Sequence, residues 1–308
     1  MDVNLSLCCI SNILAEQNVK FRTMTYKTFM SKDKKESLDK LTDIIINNFS
    51  VTSKIIRHCH SVGIKGYRLS SDLCPVINHP DVMMKLEDLP DYDMINNEIN
   101  NVKSAIVDTG IRLSAHPSEY ISLTSDDAKT ISNSIVDLEF HAEIFDRLNL
   151  SQSYYNPLNI HCRKDGEPNL ISSKFMKNFD KLSDSVKNRL VIENNDNSSG
   201  VWSIKNLHMF FHKSHKIPIT FDNLHHKMLS DGLSEEEAFT LAYETWPVEP
   251  IFHYSEGKNN TRAHCDMAEG LPNSYSTNVM FEVELKSKDL AILDILQRSQ
   301  NARESCEH

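Results

Sequence analysis

Apolar positions along this 308-residue chain follow two periods in alternation. Short β-branched or leucine-rich runs at about 3–10, 66–69, 111–116, 157–161, 189–193, 217–222, 250–254 and 278–285 read as strands. Between them lie segments whose apolar residues recur every three or four positions. The clearest, about 35–60, carries Leu38, Leu41, Ile45, Phe49, Ile55 and Ile56 on or near one face and ends at Gly63. Further helices are expected over about 94–109, stopped by Gly110 in a left-handed cap, and over about 126–149, with Ser125 as N-cap. Two more are expected over about 172–187 and 202–214. Ser234-Glu-Glu-Glu opens another in capping-box style, and Ser287 starts the last. The segment 255–277 has no helical period and reads as an extended loop.

Strands each followed by a helix or a long loop, repeated to this number, predict a (β/α)8 TIM barrel, an α/β fold that takes ~250 residues plus insertions. No internal repeat, low-complexity stretch or linker divides the chain. The expectation is one domain over 1–298 with a polar, frayed tail over 299–308.

The ends of the strands carry the chemistry. Ile111-Arg-Leu-Ser-Ala-His116, Pro157-Leu-Asn-Ile-His161, Leu190-Val-Ile-Glu193, Ile217-Pro-Ile-Thr-Phe-Asp222, Ile251-Phe-His253 and Val279-Met-Phe-Glu-Val-Glu284 each climb through apolar residues to an imidazole or a carboxylate, and His225 follows Asp222 closely. A lone buried histidine is more often a satisfied core residue than a ligand. Repetition of the pattern at the barrel end where active sites lie points instead to a shared centre. Mixed oxygen and imidazole donors suit Mn2+, Fe2+ or Zn2+ better than Ca2+.

Composition narrows the setting. No apolar run approaches the ~20 residues that span a bilayer, so a soluble protein is expected. Seven cysteines without paired spacing argue against a disulfide scaffold and for a reducing compartment. The start, Met1-Asp-Val-Asn-Leu-Ser-Leu-Cys-Cys-Ile10, lacks a basic segment before its apolar residues and reads as a strand rather than a secretory signal, giving a cytoplasmic or nucleoid-associated expectation. A net charge of −10 does not advertise a nucleic-acid binder, although divalent cations in an acidic pocket reverse that sign locally.

The phrases Phe21-Arg-Thr-Met-Thr25, Tyr67-Arg-Leu-Ser-Ser-Asp-Leu73, His79-Pro80, Leu113-Ser-Ala-His-Pro117, Glu193-Asn-Asn195, Asp222-Asn-Leu-His-His226, Thr245-Trp246, Arg262-Ala-His264 and Glu284-Leu-Lys-Ser-Lys-Asp289, in this order and spacing, resemble the UV damage endonuclease family from about residue 5 to 290. The resemblance implies a TIM barrel similar to endonuclease IV that cuts damaged double-stranded DNA on the 5′ side of cyclobutane pyrimidine dimers, 6-4 photoproducts and often abasic sites. It also implies a cluster of two or three divalent ions, commonly Mn2+, with Zn2+ or Mg2+ as alternatives. Carried over by position, the ligands are His79, His116, His161, Glu193, Asp222, His225, His253 and Glu284. Among them Glu193 looks like the bridging carboxylate, and Glu193, Asp222 and Glu284 are the catalytic acids.

For DNA contact the resemblance singles out Ser11, Asn12 and the pair Glu119-Tyr120, where relatives use Gln-Tyr as a probe inserted at the lesion. Lys258, Arg262 and His264 on the helix-less loop are candidate phosphate clamps. Three positions depart from the family pattern: Glu119; Leu7, where relatives usually carry a tyrosine; and Ile251, where some carry a lysine that helps build the metal site. On strand eight, Glu282 and Glu284 share a face, and the Glu-x-Lys-x-Lys-acid pattern favours Glu284 as ligand. A monomer is expected. Alternatives are a barrel sugar isomerase or epimerase, which also binds a divalent ion, and a damage binder with weakened catalysis.

Overall fold

The structure, a computed structural model, describes residues 4–304 apart from 119 and 164. Its strands are β1 (Asn4–Cys8), β2 (Gly66–Leu69), β3 (Arg112–Ala115), β4 (Leu158–His161), β5 (Leu190–Glu193), β6 (Ile219–Thr220), β7 (Ile251–Tyr254) and β8 (Met280–Val283). All pair in parallel, in the order β6-β5-β4-β3-β2-β1-β8-β7, and form the expected single (β/α)8 barrel.

Closure at the last seam depends on little backbone pairing. Where β6 should run beside β7, the only bridge among the described residues joins Asp222 to His253, with the His253 amide donating to Phe221 O at 2.9 Å. The sequence suggests a strand over 217–222, but its ladder covers only Ile219–Thr220. Side chains satisfy what the ladder leaves open. Thr245 Oγ1 accepts from Ile219 N at 2.9 Å, and the Trp246 indole donates to Ile219 O at 2.7 Å. This explains why Thr245-Trp246 stands where it does, since a buried amide or carbonyl without a partner costs ~1–3 kcal/mol.

The lumen is polar, whereas barrels of this kind usually fill theirs with branched aliphatic side chains. Ser114 on β3 donates across it to Glu282 on β8. Arg68 on β2 reaches the same carboxylate at 3.1 Å. Near the opposite end, Arg112 and Asn4 meet at Glu249. Gly66 faces inward too, and a Cβ there would lie 2.5 Å from Met280 Sδ and 2.8 Å from Ser6 Cβ, so only glycine fits the register.

Outside the barrel, Lys34–Ser61 is the longest helix and buries Leu41, Ile45, Phe49, Ile55 and Ile56, as its period predicts. Gly110 caps Tyr92–Thr109 at φ 68°, and Ser234 and Glu237 form the capping box. Other expectations shift. Asp127, not Ser125, caps Ala128–Arg147 by accepting from Lys129 N and Thr130 N. The helix expected over 172–187 is two, Pro168–Phe179 and Asp184–Lys187, because Glu167 and Ser183 each supply a cap. Ile204–Leu207 runs through a π-turn, His208–His212, into Lys213–His215. Residues 255–277 hold only a short 3-10 turn, Lys258–Asn260. The final helix, Asp289–Glu304, covers 299–304 of the segment expected to fray, whose remainder lies outside the described residues.

Trp246→Phe keeps an aromatic ring and removes the donor to Ile219 O. It is expected to lower stability by ~1–3 kcal/mol, read as a shifted urea midpoint at unchanged slope.

Candidate metal centre

Glu193, the last residue of β5, is 1% exposed and stands at the centre of the barrel mouth. Its Oε2 lies 3.2 Å from His116 Nε2, 3.6 Å from His161 Nε2 and 3.3 Å from His253 Nδ1, and its Oε1 lies 3.0 Å from His225 Nδ1. Asn159, two residues before His161 on the same face of β4, also donates to Oε2. Two groups of donors overlap here: His116, His161 and Glu193, and Glu193, Asp222 and His253. In each, one ligand atom per residue lies within 4.8 Å of the others. Glu193 belongs to both.

The surroundings fix where each imidazole keeps its lone pair. His116 Nδ1 donates to Pro117 O at 3.1 Å, leaving Nε2 aimed at Glu193. His161 Nδ1 donates to Asn195 Oδ1 at 3.1 Å, and Asn195 is itself oriented by donating to Cys162 O at 2.8 Å. His253 Nε2 faces Glu282 Oε2 at 3.2 Å, which turns Nδ1 towards Glu193, Glu284 at 3.5 Å and Asp222 at 3.9 Å. Lone pairs aimed at carboxylate oxygens repel unless a proton or a cation lies between them. Asp222 Oδ2 and His253 Nδ1 are buried without a hydrogen-bond partner. Donor identity, lone-pair direction and these two orphaned atoms fit divalent cations on either side of Glu193.

Charge supports the same reading. Burial holds His161 down at about 4, only partly offset by Glu193, so it is a neutral donor at physiological pH. Burial opposes protonation of His225, but the Asp222 and Glu193 carboxylates outweigh it and raise its value to about 10. His253 is likewise pushed well above its usual range against burial, by Glu193 and Glu284. Glu193 is held well below the usual carboxylate range, because His161 and His253 outweigh the effect of burial. Without cations, protons therefore neutralise the cluster.

The mouth opens into a cavity of about 730 Å³ lined by His116, His161, Glu193 and His225 and by Arg163, Asp196, Arg262 and His264. Glu284 reaches it and pairs with Arg68 at 2.5 Å, while His264 Nε2 lies 3.8 Å from Glu284. Arg262 is exposed and pairs with Asp196 at 3.2 Å. Tyr120, just beyond His116, is 82% exposed.

Several expected residues stand elsewhere. His79 joins neither donor group, and its ring stacks flat on Tyr26 at 4.0 Å. Ser11 is buried and fully engaged, capping the helix Asn12–Glu16 and donating to Asp289, while the Asn12 amide donates to Asp289 at 2.8 Å. These contacts tie the first loop to the last helix. Lys258 lines a neighbouring cavity of about 770 Å³. Glu119 lies outside the described residues. Leu7 is wholly buried in β1, paired with Tyr67 and Val283. Ile251 is buried in β7 on the same face as His253, below the cluster.

Arg68, Ser114 and Asn159 complete the inner wall with Glu282, and a reading confined to strand ends passes over these first three. The period of two was the available signal, since each occupies the lumen face of its strand.

The family model described as UV-endonuclease UvdE matches residues 3–307. The chain belongs to this family. It is 29% identical over 300 residues to a UV DNA damage endonuclease of Nostoc sp., covering 94% of this chain and 88% of that protein. Among solved structures, SacUVDE superposes with a TM-score of 0.82 at 23% identity, covering 98% of this chain and 99% of that one. The 3-keto-D-glucoside 4-epimerase YcjR of E. coli gives 0.56 at 10% identity, over 81% and 94%, a likeness of fold.

The raised values of His225 and His253 give a prediction with a definite sign. The stability that protonated His225 lends the cation-free protein is complete below its ordinary value of 6.5 and lost as pH rises through about 10. Cations must displace these protons. Between pH 7 and 9 the cation-free protein is expected to lose stability while affinity for Mn2+ rises, with proton release visible in calorimetry repeated in buffers of different ionisation enthalpy.

Proposed function

We propose that this chain cuts the backbone of double-stranded DNA immediately 5′ of UV photoproducts, cyclobutane dimers and 6-4 photoproducts, and at abasic sites, using two or three divalent cations, Mn2+ foremost. The observation that carries this reading is a single buried carboxylate, Glu193, shared by two groups of donors, one of which holds two orphaned atoms, Asp222 Oδ2 and His253 Nδ1. Family membership supplies the class of reaction, endonuclease action on UV-damaged DNA.

Cations bound here supply hydroxide at neutral pH and offset the charge that builds on the phosphate. The rest falls to the chain. Glu193, Asp222 and Glu284 would hold positive charge at the mouth, and the imidazoles of His116 and His161 would fix geometry without adding negative charge. The cavity is open enough to admit a phosphodiester. Arg163 and Arg262 stand on its wall within a chain of net charge −10, where backbone phosphates would otherwise be repelled. No serine or cysteine at the mouth has a free histidine to activate it, since each histidine there already faces Glu193 or Glu284, so no nucleophile from the chain is invoked. Tyr120 offers an exposed ring to the unstacked bases of a lesion.

Incubating the protein with Mn2+ and an end-labelled irradiated duplex is expected to give a nick immediately 5′ of the photoproduct, abolished by chelation. An intact duplex under these conditions overturns the proposal. Glu193→Gln is expected to remove cleavage while leaving the unfolding transition cooperative. Tyr120→Ala is expected to reduce the preference for damaged over undamaged duplex by roughly tenfold, the worth of about one stacking contact, at unchanged stability.

A further inference from the structure

We propose that Glu282 is a positioning residue: it sets the proton on His253 so that Nδ1, and not Nε2, is the ligand atom, while Arg68 keeps the carboxylate's charge from adding to the cation site. The inference rests on the metal-dependent reading above. It goes beyond that reading by assigning a role to a residue that binds no ion.

Both oxygens of Glu282 are already in use. Oε1 accepts from the Ser114 hydroxyl, and Oε2 accepts from Arg68 Nη1 at 3.1 Å and from His253 Nε2 at 3.2 Å. The side chain is 1% exposed and is absent from the cavity lining, one pleat below Glu284 on the same face of β8. A carboxylate so engaged, outside both donor groups and the cavity lining, is not placed to take a cation directly. It can still act on one through His253.

A neutral imidazole carries a single proton. An acceptor at Nε2 keeps it there, so the Nδ1 lone pair points at Glu193, Glu284 and Asp222. Among the described residues, the other polar partners of His253, Glu193, Asp222 and Glu284, all lie on the Nδ1 side, so Glu282 alone selects between the two nitrogens in this direction. Arg68 completes the device. The same Nη1 that reaches Glu282 lies 2.5 Å from Glu284 Oε1, so one guanidinium offsets the deeper carboxylate and steadies the outer one. Ser114 closes the remaining direction in which the Glu282 carboxylate could rotate.

The test is titration of cation-free wild type, Glu282→Gln and Glu282→Ala with Mn2+ by calorimetry, together with 15N spectra of the Zn2+-loaded proteins labelled at histidine and near-UV circular dichroism as a check on folding. Loss of an outer hydrogen-bond partner of a ligating histidine weakens binding by about 10–100-fold. That loss is expected for Glu282→Ala, with a smaller one for Glu282→Gln, whose amide oxygen can still accept from Nε2. In loaded wild type, His253 is expected to show a protonated Nε2 and a metal-shifted Nδ1. Wild-type affinity in Glu282→Ala, or equal losses in the two variants, overturns the proposal. If Glu282→Ala does not fold, the wild-type spectrum decides: a metal-shifted Nε2 on His253 overturns it. A wild type that takes up no cation refutes the nuclease reading itself, a separate result.

Discussion

Buried negative charge is the constraint on which the rest of this structure depends. Glu193, Asp222 and Glu282 are each 1% exposed or less, and Glu284 stands just above them. Removing one carboxylate from water costs several kcal/mol, and several together are tolerable only beside compensating charge. Within the chain that charge comes from Arg68 and from histidines driven towards their protonated forms, His225 and His253. Protons are a poor permanent solution, because they leave as pH rises. Divalent cations would neutralise the same oxygens and also take up the lone pairs that have no partner.

The fold serves this centre at a cost to its own regularity. Polar side chains line a lumen that aliphatic packing would normally fill. The seam between β6 and β7 closes through Asp222 and His253, two members of the cluster, so barrel closure and donor placement are the same structural event. Thr245 and Trp246 make the short β6 tolerable by completing the hydrogen bonds of Ile219. At the other side, Asp289 gathers Ser11, Asn12 and His58 and fastens the final helix over the start of the chain.

Much of this was legible in the sequence, for a physical reason. Strands that climb through apolar residues to a histidine or an acid declare both the barrel and the end where chemistry sits, and the donors grouped around Glu193 were all identified this way. The surroundings of residues on loops were less legible than those of residues on strands. His79 lies in a loop, where no period fixes its direction, and it stacks on Tyr26. Ser11 follows β1 at the right end of the barrel, yet its hydroxyl is spent on a helix cap and on Asp289, a partner 278 positions away. Leu7, which stands where the family usually carries a tyrosine, is turned into the wall by the alternation along β1. Glu282 illustrates the opposite error: the pattern marked it only as a rival ligand, and its engagement by Ser114, Arg68 and His253 depends on three other strands.

Anomalous diffraction from a crystal equilibrated with Mn2+ tests the central claim most directly. The account predicts strong peaks on either side of the Glu193 carboxylate, one within reach of His116 and His161 and one within reach of Asp222 and His253. A map with no peak at Glu193, or with Mn2+ bound only at sites remote from it, would contradict it.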